Sequence, residues 1–564
     1  MKKRQLRSNF PRGSYLWAVR NAQWRALGIP EEDCDKPKIA IVNSSSELAS
    51  CFSHLDHIAA VAKEAIRAAG AVPFEIRTAA PSDFITGAGA RGAYLLTARD
   101  LITNDIEVAV EGAQLDGMLC LASCDKTVPG QLMAAARLNI PTIVVACGYQ
   151  ASGQYRGQHV DIEDVFIQSM HAVMGSTPVE QVVEMSREAI RSPGVCAGLG
   201  TANSMHMVCE ALGMALPGST PVAANSERMF HFVREAGKRI VQMVWDDLKP
   251  RDILTPEAFA NAVRVVLSVG GSVNTVKHMQ AVATEGGCNV DVYALFEQFS
   301  AQVPVLSEVR PIGERLIEEF EAAGGCRALM KQLEPLLDTG ALTVTGKSVA
   351  ENLADAQVVD DDVIRPLSNP IATRPAIVVL RGNLAPETGI VKTGIIERKV
   401  RRFTGEAICF DNAEAALQAL NDGTVKPGMV LVMRGVGARG APGMGGGASR
   451  VVFGIDGAGM GESIAMLTDG HLSGLVCKGL VVAEVAPEAA VGGPLALVRD
   501  GDRITIDLDS RDLHLHVDDD ELEQRRAAWQ AEAPRFNQGW LKIYRQNVGS
   551  TALGLVLTGG SGCA

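Results

Sequence analysis

Apolar positions in the first third of this chain recur in two rhythms that take turns. Residues 38–43, 72–77, 117–122 and 141–146 are short runs of apolar and β-branched side chains, the mark of strands buried on both faces. Between them, residues 54–69 carry Leu55, Ile58, Val61, Ala65 and Ile66 at helical spacing and stop at Gly70, and residues 98–111 and 129–138 repeat that period. Strands alternating with helices predict right-handed crossovers and a parallel sheet covered on both faces, with ligands bound beyond the carboxyl ends of its strands. Residues 160–340 read as mostly helical, with amphipathic stretches at 226–248 and 311–323. Periodicity lapses between 340 and 375, through Gly340, Gly346, Asp360-Asp361-Asp362, Pro366, Pro370 and Pro375. Beyond it, β-rich runs at 376–380, 429–433, 464–467, 479–485 and 503–508 are separated by Gly and Pro, and 519–531 reads as a helix. The predicted architecture is α/β: an N-terminal parallel-sheet domain with added helices over 1–360, and a smaller C-terminal β-rich, barrel-like domain over 370–564.

Composition narrows what such a chain does. At 564 residues it exceeds what one hydrophobic core supports, and 47% apolar with 21% charged residues is ordinary for a folded protein. A formal charge of −12, with no basic stripe, argues against nucleic-acid or anionic-membrane partners and leaves a small-molecule ligand as the expectation. The basic N-terminus has no apolar core after it and no apolar run approaches a membrane span, so a cytoplasmic protein is expected. Twelve cysteines are too sparse for a disulfide scaffold, which turns attention to packing, catalysis or metal binding.

Three cysteines, Cys51, Cys124 and Cys196, stand in Gly-, Ser- or Pro-rich junctions beside polar residues. In Ser123-Cys124-Asp125-Lys126-Thr127-Val128-Pro129-Gly130, a soft thiolate and a hard carboxylate follow one another where an apolar run ends and Pro129 can open a helix. Such a pair can serve two Lewis acids of different softness within one substrate's length, which suits removal of hydroxide from a polyhydroxylated acid. The plainer reading is a partly buried Cys beside a helix-capping Asp. No Cys-x-x-Cys spacing marks a local zinc or ferredoxin site. Asp83, in Pro81-Ser82-Asp83-Phe84, is a hard ligand or a turn cap, and Thr468-Asp469-Gly470-His471-Leu472-Ser473-Gly474 is a site loop or a turn.

Taken together these motifs resemble the iron–sulfur dehydratase family of dihydroxy-acid, 6-phosphogluconate and sugar-acid dehydratases. The likeness spans nearly the whole chain. It is carried by Asn43-Ser44 leading to Cys51 and His54-Leu55, Ser82-Asp83, Cys124-Asp125-Lys126 with Pro129-Gly130, and Gly198 with Thr201-Ala202-Asn203-Ser204-Met205. Further on it is carried by Gly389-Ile390-Val391-Lys392-Thr393, Ala441-Pro442-Gly443-Met444, Thr468-Asp469-Gly470 with Ser473-Gly474, and Pro487-Glu488-Ala489. The resemblance implies that Cys51, Cys124 and Cys196 hold an iron–sulfur cluster, [2Fe-2S] favoured and [4Fe-4S] the alternative. It implies that Asp83, Asp125 and a carbamylated Lys126 bind Mg²⁺, and that Ser473, as an alkoxide, is the base. Carbamylation needs an unprotonated amine, which burial favours. Homodimers or homotetramers are implied as well.

Two departures stand out. The family's usual glutamate two residues after Pro-Gly-Met, a further Mg²⁺ ligand, is here Gly446, and Leu475-Val476-Cys477 replaces small hydroxylated residues after Ser473. The expected activity is loss of water from a 2,3-dihydroxy acid, an aldonic (sugar) acid or a relative, to give a 2-keto acid. The alternatives are the dihydroxy-acid dehydratase of branched-chain amino acid biosynthesis, whose alkyl-tailed substrate suits Leu475 and Val476, and a cluster-bearing paralogue that binds or senses a small acid without converting it.

Overall fold

The computed structural model describes residues 5–88, 92–394, 400–444 and 447–558, so Gly446 lies outside the described residues. Runs of Val, Ile, Leu and Ala become strands because both their faces are covered. β1 (Lys38–Asn43), β3 (Gly117–Ala122) and β4 (Thr142–Ala146) are buried at every residue, while β2 (Val72–Arg77) is half-buried at the sheet edge. The order is β2-β1-β3-β4, all parallel, with Ile41 opposite both Glu75 and Leu119. Two helix pairs pack beside this sheet, Leu55–Ala68 with Glu227–Asp246 and Ala93–Gly112 with Thr127–Leu138. Gly130 permits the second pairing: a Cβ there would stand 2.7 Å from the Arg99 carbonyl oxygen. A hairpin of β5 (Gly153–Tyr155) and β6 (Gln158–Val160) then leads into a mostly helical region.

In the stretch read as a helix over 311–323, only Ile317–Ala322 is helical. The preceding residues fold back, with the Arg310 N–H donating to Arg315 O at 2.9 Å and Gly313 pressed against Glu308. Periodicity was present, but Pro311 and Gly313 suit this turn better than a helix.

The C-terminal half is an eight-stranded mixed sheet of β7 (Ile377–Leu380), β8 (Thr388–Lys392), β9 (Arg402–Phe410), β10 (Met429–Met433), β11 (Ala465–Thr468), β12 (Leu480–Ala486), β13 (Arg503–Asp507) and β14 (Asp512–Leu515). Its order is β14-β13-β9-β10-β11-β12-β8-β7, with β9 to β12 parallel and the outer strands antiparallel. The sheet nearly closes. The Arg381 N–H donates to Arg511 O at 3.0 Å and the Leu513 N–H to Arg381 O at 2.7 Å, joining the ends of its outermost strands into a barrel-like form. Alternation along β10 fills two cores: Val430 and Val432 join one, Leu431 and Met433 the other, which also takes in helices Ala413–Asn421 and Ala448–Gly457. Among the described residues, no helix is long and apolar enough to cross a membrane.

Candidate active site

Strand ends set the positions of the reactive side chains. Cys51 lies in the turns after β1 and Cys124 in the turn after β3, so the first two thiols arrive at the carboxyl rim of the parallel sheet. Cys196 comes from the segment before helix Thr201–Ala211. Hydrogen bonds tie the three segments together. Ser123 Oγ donates to the Cys51 carbonyl, the Gly194 N–H donates to Ser50 O at 3.1 Å, and His206 Nε2 lies 3.0 Å from Ser123 O. Asn203 Nδ2 donates to the carbonyls of Cys196 at 2.9 Å and Gly198 at 2.8 Å, fixing the third loop. Three sulfurs distant in sequence therefore converge. The Cys124 thiol is pushed well above its ordinary range by its contact with the Cys51 side chain and by burial, and burial does the same to Cys196.

Beside the thiols stand Asp83, Asp125 and Lys126. Asp83 Oδ2 accepts from Lys126 Nζ at 2.8 Å, Asp125 Oδ2 lies 3.5 Å from the same nitrogen, and Asp83 Oδ1 is buried without a partner among the described residues. Burial, and then Asp125, raises the Asp83 carboxyl to about 6 against the pull of Lys126. At Lys126 burial alone would favour the neutral amine, but Asp83 and Asp125 outweigh it and its pKa lies above the ordinary value. The two carboxylates thus favour the protonated amine, against the effect of burial. A cation between the carboxylates would remove that pull.

Ser473 arrives from the other half of the chain, in the loop after β11. Its N–H donates to Ser449 Oγ at 2.7 Å, and its Oγ accepts from the Leu475 N–H at 3.3 Å. Asn274 Nδ2 donates to Leu472 O at 3.0 Å and also to Thr201 Oγ1 at 3.0 Å, so one amide pins the serine loop to the helix that follows Cys196. Lys392 Nζ donates to Gly474 O at 3.1 Å. Cys124, Cys196, Asp83, Asp125 and Ser473 all line one cavity of about 410 Å³, while Cys51 and Lys126 are buried behind it. The same cavity is lined by the apolar side chains of Phe84, Leu95, Val165, Phe166, Met444 and Leu475, with Ser169, Glu414, Ser449 and Arg450 among them.

Sequence reasoning missed three residues here, Glu163, Lys277 and Glu484. Glu163, also lining the cavity, lies between the capping-box partners Asp161 and Asp164 of helix Ile162–Val173 and so reads as a helix-start acid. Lys277 forms a buried ion pair with Glu484, Nζ to Oε1 2.5 Å, and Glu484 Oε1 lies 3.4 Å from Nδ1 of the cavity residue His471. Nothing local in the sequence signals that pair, since its partners are 207 residues apart.

The donor set fits a soft cluster beside a hard cation. Buried thiols with acidic neighbours and an orphaned carboxylate oxygen lack positive charge, and Lys126 is already shared by two acids. Comparison with known proteins agrees. Residues 36–352 match the family model described as dihydroxy-acid/6-phosphogluconate dehydratase N-terminal, and residues 362–555 match its C-terminal counterpart. The chain is 39% identical over 534 residues to a dihydroxy-acid dehydratase of Ignicoccus hospitalis, covering 94% of this chain and 95% of the relative. It is 37% identical over 555 residues to one of a Hydrogenobaculum species, covering 98% and 100%. Matched along both halves, the chain belongs to the dihydroxy-acid/6-phosphogluconate dehydratase family and is a hydro-lyase, of a kind that works with an iron–sulfur cluster and Mg²⁺.

Proposed function

We propose that this enzyme is a dihydroxy-acid dehydratase, taking a 2,3-dihydroxy acid with a short alkyl tail to the 2-keto acid. The observation that carries the reading is the apolar share of the cavity lining, where Phe84, Leu95, Val165, Phe166, Met444 and Leu475 stand among the polar groups that include Asp83, Asp125 and Ser473. An alkyl tail packs well against such side chains, whereas the several hydroxyls of an aldonic acid find fewer partners on them. Both relatives named above carry the same activity in their names.

In this reading Cys51, Cys124 and Cys196 hold the cluster, and Asp83, Asp125 and a carbamylated Lys126 hold Mg²⁺. When bound, the two supply Lewis acidity to the departing 3-hydroxyl and to the carboxylate end of the substrate. Ser473 Oγ takes the C2 proton. A serine hydroxyl is a poor base unless its anion is stabilised, and the Leu475 N–H already points at Oγ for that purpose. Asn274 and Lys392 hold the loop from either side, which keeps Oγ directed into the cavity. The apolar side chains of the lining exclude water from the tail end. Loss of the C2 proton and the 3-hydroxyl leaves an enol, which becomes the 2-keto acid.

The test is keto-acid formation by anaerobically reconstituted protein with Mg²⁺. Rapid turnover of 2,3-dihydroxy-3-methylbutanoate with little or none of a panel of aldonates is the expected result. Faster turnover of any aldonate overturns the alkyl reading.

A further inference from the structure

Three acids open helix Ile162–Val173, and two of them are committed. Asp161 Oδ1 accepts from the N–H groups of Glu163 and Asp164 at 2.7 and 3.2 Å, and its Oδ2 lies 3.0 Å from His159 Nε2. Asp164 is paired with Arg310 and accepts from the Asp161 N–H at 3.0 Å. Glu163 is different. It is only 4% exposed, it lines the cavity, and among the described residues its carboxyl has no hydrogen-bond or ion-pair partner. A buried polar group left in that state is costly unless something that enters the cavity satisfies it.

Two glycines fix where this carboxyl lies. A Cβ on Gly198 would stand 2.3 Å from Glu163 Oε2, and one on Gly200 would stand 3.2 Å from Oε1. The carboxyl thus rests against the backbone that runs from Cys196 to Thr201, closest at Gly198, where a Cβ would force it to shift. Of the charged groups around Cys196, Glu163 exerts the strongest influence, while the leading charged neighbours of Asp83 are Lys126 and Asp125. Glu163 therefore belongs to the thiol side of the cavity, where the proposed reaction puts the substrate's 3-hydroxyl.

We propose that Glu163 is a substrate-binding residue that hydrogen-bonds the 3-hydroxyl of the dihydroxy acid and makes the site select a diol over a monohydroxy acid. This rests on the proposed reaction. A substrate with the hydroxyl satisfies the carboxyl, while an analogue without it leaves the carboxyl stranded, and such sites discriminate strongly. Glycine at 198 suits the same need, because a Cβ there would push the carboxyl aside.

The experiment uses the full chain, loaded anaerobically with cluster and Mg²⁺, as wild type, E163L, E163A and E163Q. The probes are 2,3-dihydroxy-3-methylbutanoate and 2-hydroxy-3-methylbutanoate, which lacks only the 3-hydroxyl. KM for the first and the competitive inhibition constant of the second give the diol preference, and calorimetric dissociation constants replace them in variants too slow to assay. The preference falls about tenfold in E163L, as one lost hydrogen bond to a charged or polar partner predicts, and stays within about threefold of wild type in E163Q. E163A removes the same group without asking the cavity to accept a branched side chain, and carries the test if E163L does not fold. Wild-type preference in E163L or E163A overturns the assignment. A wild-type enzyme that converts no 2,3-dihydroxy acid overturns the proposed reaction instead, so the two failures are told apart.

Discussion

Removing the Lys277 amine tests how the catalytic loop is supported. Lys277 and Glu484 are each 1% exposed at the side chain, with Nζ 2.5 Å from Oε1, and Nζ also donates to Asn274 Oδ1. Asn274 in turn holds Leu472, next to Ser473. Burial raises the Glu484 carboxyl, but Lys277 and His471 outweigh it and bring it from 4.5 to about 2. That difference is worth about 3 kcal/mol. The sign follows from the depressed value: this stability is present above pH 4.5 and lost as pH falls through about 2. The two partners answer differently, because at Lys277 burial outweighs Glu484 and lowers the amine. With Nζ donating to both Glu484 and Asn274, the ionised pair is the state these contacts support. Lys277→Met keeps the length of the side chain and strands the carboxylate, a change that costs about 3–5 kcal/mol when one partner of a buried pair is lost. The assay is urea unfolding at pH 7 followed by tryptophan fluorescence and circular dichroism, with Lys277→Met/Glu484→Gln completing a double-mutant cycle. The double variant recovers at least half of the loss. A Lys277→Met protein within about 1 kcal/mol of wild type, or strict additivity in the cycle, refutes the reasoning.

Ser473→Ala removes the proposed base and lowers turnover by about 10²–10⁴-fold with iron content unchanged, as measured by keto-acid assay and iron quantitation side by side. Cys196→Ser reduces iron bound per chain after reconstitution, read by colorimetric iron analysis, and two or four irons per wild-type chain distinguish the cluster types. Asp83→Asn weakens Mg²⁺ at a site whose buried Oδ1 has no partner among the described residues, so the Mg²⁺ concentration for half-maximal activity rises about tenfold or more. Leu475→Ser puts a hydroxyl among the apolar side chains of the lining and raises KM for 2,3-dihydroxy-3-methylbutanoate by about tenfold, with a smaller change in kcat.

Where the sequence spoke plainly, burial was complete. β1, β3 and β4 were legible as uninterrupted apolar runs because both faces of each strand are covered. β9 was missed for the opposite reason: Arg402, Thr404 and Glu406 are exposed along it, so no apolar run marks it even though β10 and β13 pair with it. β8 and β14 are short, and their Gly389 and Asp512 argue locally against strands. At the site, Cys51, Cys124, Asp83, Asp125 and Ser473 stood out through motifs that a family resemblance could assemble. Glu163 did not, because an acid just inside a helix start has an adequate local explanation, and only the glycines pressed against it reveal a second one. The Lys277–Glu484 pair is a product of tertiary folding alone.

The cavity draws its sulfur side from residues before 352 and its serine from residues after 362, and this imposes an order on biosynthesis. A ribosome adding about 5–20 residues per second needs roughly 10–40 s to deliver the remaining two hundred or so once the cysteine-bearing half has emerged. During that interval Cys124 and Cys196 lack the roof that Met444, Ser473 and Leu475 later provide, and oxidants and iron donors alike can reach the thiols. Until then these thiols stand open to solvent, and completion of the barrel covers them.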